Sequence, residues 1–157
     1  MVNNFYYNLL DFTKEGKLLV AISGSVFEFD NSTTTIKEIF ADRDQKEISR
    51  VCAHPEIGIF GVGLSDGEVG VVNQQSGKMM QRLSTQMASR VSALGMEGHI
   101  LGHGTKHGSV FLFDIRSRRQ KIASFACHDQ EVCSLKFSTL DQNVFASGGN
   151  DNRVNIY

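Results

Sequence analysis

A chain of 157 residues suits one domain, and 41% hydrophobic content, 15 glycines and a single proline without any low-complexity tract exclude a disordered or fibrous protein. Sixteen Lys and Arg nearly cancel seventeen Asp and Glu, so there is no global field to draw nucleic acid or an anionic membrane, and any partner must be recognised locally. The start of the chain lacks a basic region followed by an apolar run, and the longest aliphatic stretch, 18–22, is far short of a membrane span.

Taken in chain order, the apolar alternation falls into short β-rich runs divided by glycine-bearing turns. The first is Ser25–Asp30, followed after a polar hairpin by an outer run at 34–40. Residues 42–51 are too few and too polar to bury a helical face. A small-residue strand at 60–63 then leads into Glu68–Asn73 and an outer run at 79–83. An opening strand at 90–94 precedes Ser109–Asp114 and an outer run at 120–125, and the last unit holds runs at 131–137, 145–149 and 153–157.

These runs repeat. The last large residues of four of them, Phe29, Val72, Phe113 and Tyr157, are separated by 43, 41 and 44 residues, the period of about 40–45 residues that marks a four-stranded propeller blade. The expectation is an all-β, WD-repeat β-propeller that is partial: three blades at 5–43, 44–86 and 87–127, and three strands of a fourth at 128–157, out of a presumed seven. Gly61, Gly63, Gly102, Gly104, Gly148 and Gly149 are expected on inner strands that converge on a central channel with no room for bulk.

Six residues before each strand-ending position stands a turn residue, in order Ser23, Asp66, His107 and Asp151. In WD repeats this position usually holds an aspartate that accepts bonds from the adjacent turn. In the last unit His128, Ser147, Asp151 and Tyr157 occupy the places of the His–Ser–Asp–Trp network of such repeats, which satisfies buried polar groups and fixes how strands stack. The same His128, Ser147 and Asp151 could be mistaken for a hydrolase triad. Their spacing follows the repeat, and no Gly-x-Ser-x-Gly elbow presents the serine, so a structural role is expected and not an enzyme.

His99, His103 and His107 are spaced by four, as zinc ligands on a helix would be, but Gly98, Gly102, Gly104 and Gly108 interrupt any helix there. No metal and no cofactor is expected. Arg116, Arg118, Arg119 and Lys121 form a basic hairpin without interleaved aromatics, which reads as a solvated turn and not as a nucleic-acid site. Cys52, Cys127 and Cys133 lie in apolar, strand-like contexts and read as buried thiols of a reducing, intracellular setting.

Three local stretches resemble one family in particular. They are Asn4-Phe-Tyr-Tyr-Asn-Leu-Leu-Asp-Phe12, then Arg90-Val-Ser-Ala-Leu94 with Phe113-Asp-Ile-Arg116, and above all His128 to Phe137 followed by Ala146-Ser-Gly-Gly-Asn-Asp-Asn152. Nearly end to end, the chain resembles the Fizzy-type coactivators of the anaphase-promoting complex/cyclosome, with Phe12 where that family usually has tryptophan. The resemblance implies a non-catalytic substrate-recognition coactivator of that ubiquitin ligase, present in nucleus and cytoplasm. It implies subunits of the complex and degron-bearing, cyclin-like substrates as partners, and it involves neither nucleic acid nor membrane. It places a KEN-box site on Asn150 and Asn152 with Asp11 as acidic neighbour. Carboxamides both donate to and accept from a peptide, and a carboxylate suits the motif's lysine. Asn150 and Asn152 would alternatively be turn residues that tolerate strained dihedrals.

On the destruction-box side the resemblance calls for an acidic residue where this chain has Asn4, and a third groove, for the ABBA motif, lies between the second and third blades. The family's two ligase-docking elements, the C-box and the Ile-Arg tail, are not in these residues. A generic WD-repeat scaffold without degron selectivity is the alternative. Three blades and three strands leave sheet edges that would template pairing, so a fragment, or self-association through open edges, is expected.

Overall fold

The computed structural model describes residues 7–85, 87–117, 121–141 and 143–157. They form fifteen strands in four antiparallel sheets, each a meander in chain order. The first sheet holds β1 (Leu10–Phe12), β2 (Leu18–Ile22), β3 (Ser25–Asp30) and β4 (Thr35–Ala41). The second holds β5 (Ile48–Ala53), β6 (Ile59–Leu64), β7 (Glu68–Asn73) and β8 (Met79–Ser84). The third holds β9 (Val91–Glu97), β10 (Ile100–Thr105), β11 (Ser109–Asp114) and β12 (Lys121–Ala126), and the fourth β13 (Val132–Phe137), β14 (Phe145–Gly149) and β15 (Val154–Ile156). This is the partial, all-β propeller that the repeat predicts. Outer strand β4 starts one residue later than the alternation suggests, because Thr34 has φ 52° and belongs to the hairpin turn.

The first strands of successive sheets lie against one another, β1 on β5, β5 on β9 and β9 on β13, and so form the hub. The second strands, β6 and β10, carry the paired glycines, which corrects the expectation that those glycines crowd the channel. A Cβ on Gly61 would meet Leu94 Cδ2 at 3.1 Å, and one on Gly63 would meet Val91 Cγ1 at 2.6 Å. One repeat on, a Cβ on Gly102 would meet Leu135 Cδ2 at 2.6 Å, and one on Gly104 would meet Val132 Cβ at 2.6 Å. The space is filled by the hub strand of the next sheet, so the small residues are a packing surface between blades. Each core cluster accordingly straddles two sheets: Leu19, Val26 and Phe40 pack with Phe60 and Val62, Val69 and Leu83 with Leu101 and Phe113, and Val110 with Val132 and Phe137. A fully buried Phe60 or Leu101 contributes on the order of 2–3 kcal/mol by leaving water.

Between second and third strands, the turns need one residue in the left-handed region. Gly67 (φ 94°) and Gly108 (φ 85°) supply it in two sheets, and Asn152 (φ 62°) in the fourth, a position that asparagine tolerates better than other side chains.

Candidate functional site

All four hub strands enter from the same end. Asn8 and Arg50 form a parallel bridge, the Ser49 hydroxyl donates to the Val91 carbonyl at 2.7 Å, and Arg90, just before β9, reaches Glu131, just before β13. This entrance also holds the turn between β14 and β15, because the Asn150 N–H donates to the Glu131 carbonyl at 2.8 Å.

At the entrance, the fourth sheet carries a buried polar chain. His128 Nδ1 lies 2.9 Å from Asp151 Oδ1, and His128 Nε2 lies 2.9 Å from Ser147 Oγ. The Asp129 N–H donates to Asp151 Oδ2 and the Arg153 N–H to Oδ1. Burial pushes the Asp151 carboxyl up, but these backbone donors and His128 together bring it below the ordinary aspartate value. The order Asp–His–Ser is that of a hydrolase, and Ser147 is 1% exposed inside β14. Tyr157 stacks on Phe145 at 5.1 Å and tilts against Phe125 at 5.3 Å, so it extends the aromatic packing beside the chain.

The corresponding turns differ. Asp66 is held by Lys46 at 2.6 Å and caps the Glu68 N–H, Ser23 takes a left-handed φ of 54°, and His107 stands in the third sheet. Among the described residues only the last sheet has the histidine-centred chain. Of the other histidines, His99 and His107 lie in the turns before and after β10, and His103 is buried inside it. His103 stacks on Phe111 and Phe113, and burial lowers its imidazole to about 4. In the basic hairpin, Arg116 pairs with Asp114 at 2.7 Å and Lys121 lies over the Phe111 ring, while Arg118 and Arg119 fall outside the described residues.

Asn150 and Asn152 are both exposed at the entrance. The Asn150 carboxamide donates to Gln130 Oε1 at 3.0 Å, and the Asn152 N–H donates to the Gly149 carbonyl. Asp11 is the middle residue of β1, the hub strand of the first sheet. Its carboxylate accepts the Ala53 N–H at 2.8 Å and the Phe12 N–H at 2.9 Å. There it shares a cleft with the far ends of β9 and β13. About three strand residues, roughly 10 Å at 3.3 Å each, separate Asp11 from the Asn8–Arg50 bridge at the entrance. Burial, with Asp11 adding to it, pushes the Cys52 thiol beside this carboxylate up to about 12. Asn4 lies outside the described residues.

Arg50, Arg90 and Glu131, which the repeat pattern alone does not single out, complete the entrance. Arg90 Nη2 donates to both Glu131 oxygens, at 2.7 and 2.9 Å, with its guanidinium 5.5 Å from the Tyr7 ring. Arg50 is 3% exposed, and burial lowers its guanidinium to about 10 against the favourable field of Glu131. The available signal was a charge inside the apolar alternation of 48–53 and a charged residue immediately before each of two hub strands.

Four meander sheets around a hub, glycine-bearing second strands in three of them and a His–Ser–Asp chain at the entrance of the last define a WD-repeat β-propeller, here a partial one. No protein-family model matches the chain. It is 34% identical over 158 residues to "Cell division cycle 20.1, cofactor of APC complex" of Arabidopsis thaliana, covering all of this chain and 34% of that protein. It is 30% identical to "APC/C activator protein CDH1" of Saccharomyces cerevisiae, covering all of this chain and 27% of that one. Among solved structures, a chain of the crystal structure of the mitotic checkpoint complex superposes with a TM-score of 0.91 and 26% identity, covering all of this chain and 49% of the other. The chain therefore resembles the Fizzy family of Cdc20- and Cdh1-type activators over its whole length, and spans about a third of the length of these curated relatives.

Proposed function

We propose that the chain forms part of a non-catalytic coactivator that recognises degron peptides for the anaphase-promoting complex/cyclosome. One observation carries the reading: all of the chain aligns with proteins named as activators or cofactors of that complex. The entrance end of the hub is the peptide-reading surface, with Asn150 and Asn152 as its exposed carboxamides, each able to donate and accept. Asp11, further along hub strand β1, is the carboxylate for the motif's lysine. Partners under this reading are subunits of the complex and cyclin-like substrates, in nucleus and cytoplasm, where Cys52, Cys127 and Cys133 stay reduced.

Exposed Leu10 and Phe12 on β1, with Val154 and Ile156 on β15, offer apolar faces for self-association. Titration with a KEN-containing peptide tests the reading. Saturable binding that Asn150→Ala weakens supports it, and equal binding by wild type and the Asn150 variant rejects it in favour of a scaffold without degron selectivity.

A further inference from the structure

The residue of each hub strand that pairs with the second glycine position is small in the third and fourth sheets. Ala93 pairs with Gly104 and Ser134 with Gly148. In the second sheet the same place, opposite Gly63, is Arg50. Its Cβ lies on the face of β5 turned toward β9, since a Cβ on Gly63 would meet both Arg50 Cβ, at 3.2 Å, and Val91 Cγ1. The charges that act on Arg50 are Glu131, which favours the guanidinium, and Arg90, which opposes it, and both stand at the hub entrance immediately before β13 and β9.

Two guanidiniums there share one carboxylate, and Arg90 already grips both Glu131 oxygens. Among the described residues the hydrogen bond from Arg50 goes to the neighbouring Ser49 carbonyl, at 2.9 Å. A buried guanidinium without a carboxylate of its own is costly in a low-dielectric interior, and a second anion with charge-assisted hydrogen bonds removes that cost.

We propose that Arg50 is a receptor for a single carboxylate that enters the hub from the end holding Asn150 and Asn152, borne by an acidic side chain of an extended peptide. So deep a guanidinium is met by the tip of a side chain and not by a flat protein surface. Only the source of the carboxylate rests on the peptide-recognition reading above.

The test uses the 157-residue chain with N-acetylglutamate α-amide and its neutral counterpart N-acetylglutamine α-amide as probes, read on arginine side-chain NMR signals assigned with Arg50→Lys. The acid shifts the Arg50 signal saturably and the neutral amide does not. A peptide with glutamate binds about 10- to 100-fold more tightly than its glutamine version, and Arg50→Met abolishes that preference. Methionine in place of a buried charge usually preserves the fold, and an unchanged thermal melt checks this. An Arg50 signal that ignores the acid, or a glutamate preference that survives Arg50→Met, overturns the proposal. A shifted Arg50 signal with no degron peptide bound keeps the carboxylate receptor and rejects the degron reading. Asn150-dependent peptide binding with no response to the acid does the reverse.

Discussion

The imidazole of His128 lies so close to the Cα of Gly149 that no β-carbon fits between them. The glycine is what lets His128 Nε2 come within 2.9 Å of Ser147 Oγ while Nδ1 stays on Asp151. The polar chain is thus a packing device as well as a hydrogen-bond network.

Ser147→Ala leaves His128 Nε2 buried without a partner, which costs about 1–3 kcal/mol. Urea unfolding of the variant will show a lower midpoint with an unchanged slope. A variant as stable as wild type would mean that the chain contributes nothing to the fold.

Between sheets the sensitive positions are the second-strand glycines. Gly104→Val places a branched side chain on Val132, which a bare Cβ already meets at 2.6 Å, and overpacking of this kind costs about 1–3 kcal/mol. The same substitution at exposed Gly58, where a Cβ meets nothing within 4 Å, costs less than 1 kcal/mol. Paired thermal melts compare the two.

His103 makes stability depend on pH. Its folded value, about 4, lies below the ordinary 6.5, so between these values the unfolded chain binds more protons than the folded one. Its contribution is therefore complete above about pH 6.5 and declines as pH falls toward 4, by up to about 3 kcal/mol. Val62 fills the corresponding register position in the second sheet, so His103→Val will flatten the stability profile across this window in denaturant titrations.

Peptide recognition tests the three family-derived residues. In calorimetry Asn150→Ala weakens a KEN-type peptide, and Asp11→Asn weakens it by removing the charge that meets the motif's lysine. For Asn152 the informative change is to glycine, which keeps the left-handed backbone at φ 62° and removes only the carboxamide.

The propeller is legible in the sequence because strand-ending residues such as Phe29, Val72 and Phe113 recur at a blade's period and the β-pattern alternates around them. The His128, Ser147 and Asp151 positions are legible for the same reason. The contacts of Asp11 were not, because motif spacing gives the position along a strand but not which neighbouring backbone its carboxylate meets. The real neighbours of Gly61 and Gly102 were likewise hidden, since a glycine pattern records that space is scarce and not which side chain takes it. Arg50 carries no motif, and its meaning depends on Arg90 and Glu131, 40 and 81 residues further on.

Because each sheet is held mainly by its immediate neighbours, resistance to opening is a local property that varies along the array. Among the described residues the second and third sheets are clasped on both sides and the three-stranded sheet by the third. That sheet is also the one laced by His128, Ser147 and Asp151, so hydrogen bonding inside it adds to the packing its neighbour supplies. Amide exchange would register this as β14 protons slower than those of β2, although both strands lie in sheets with a single neighbour.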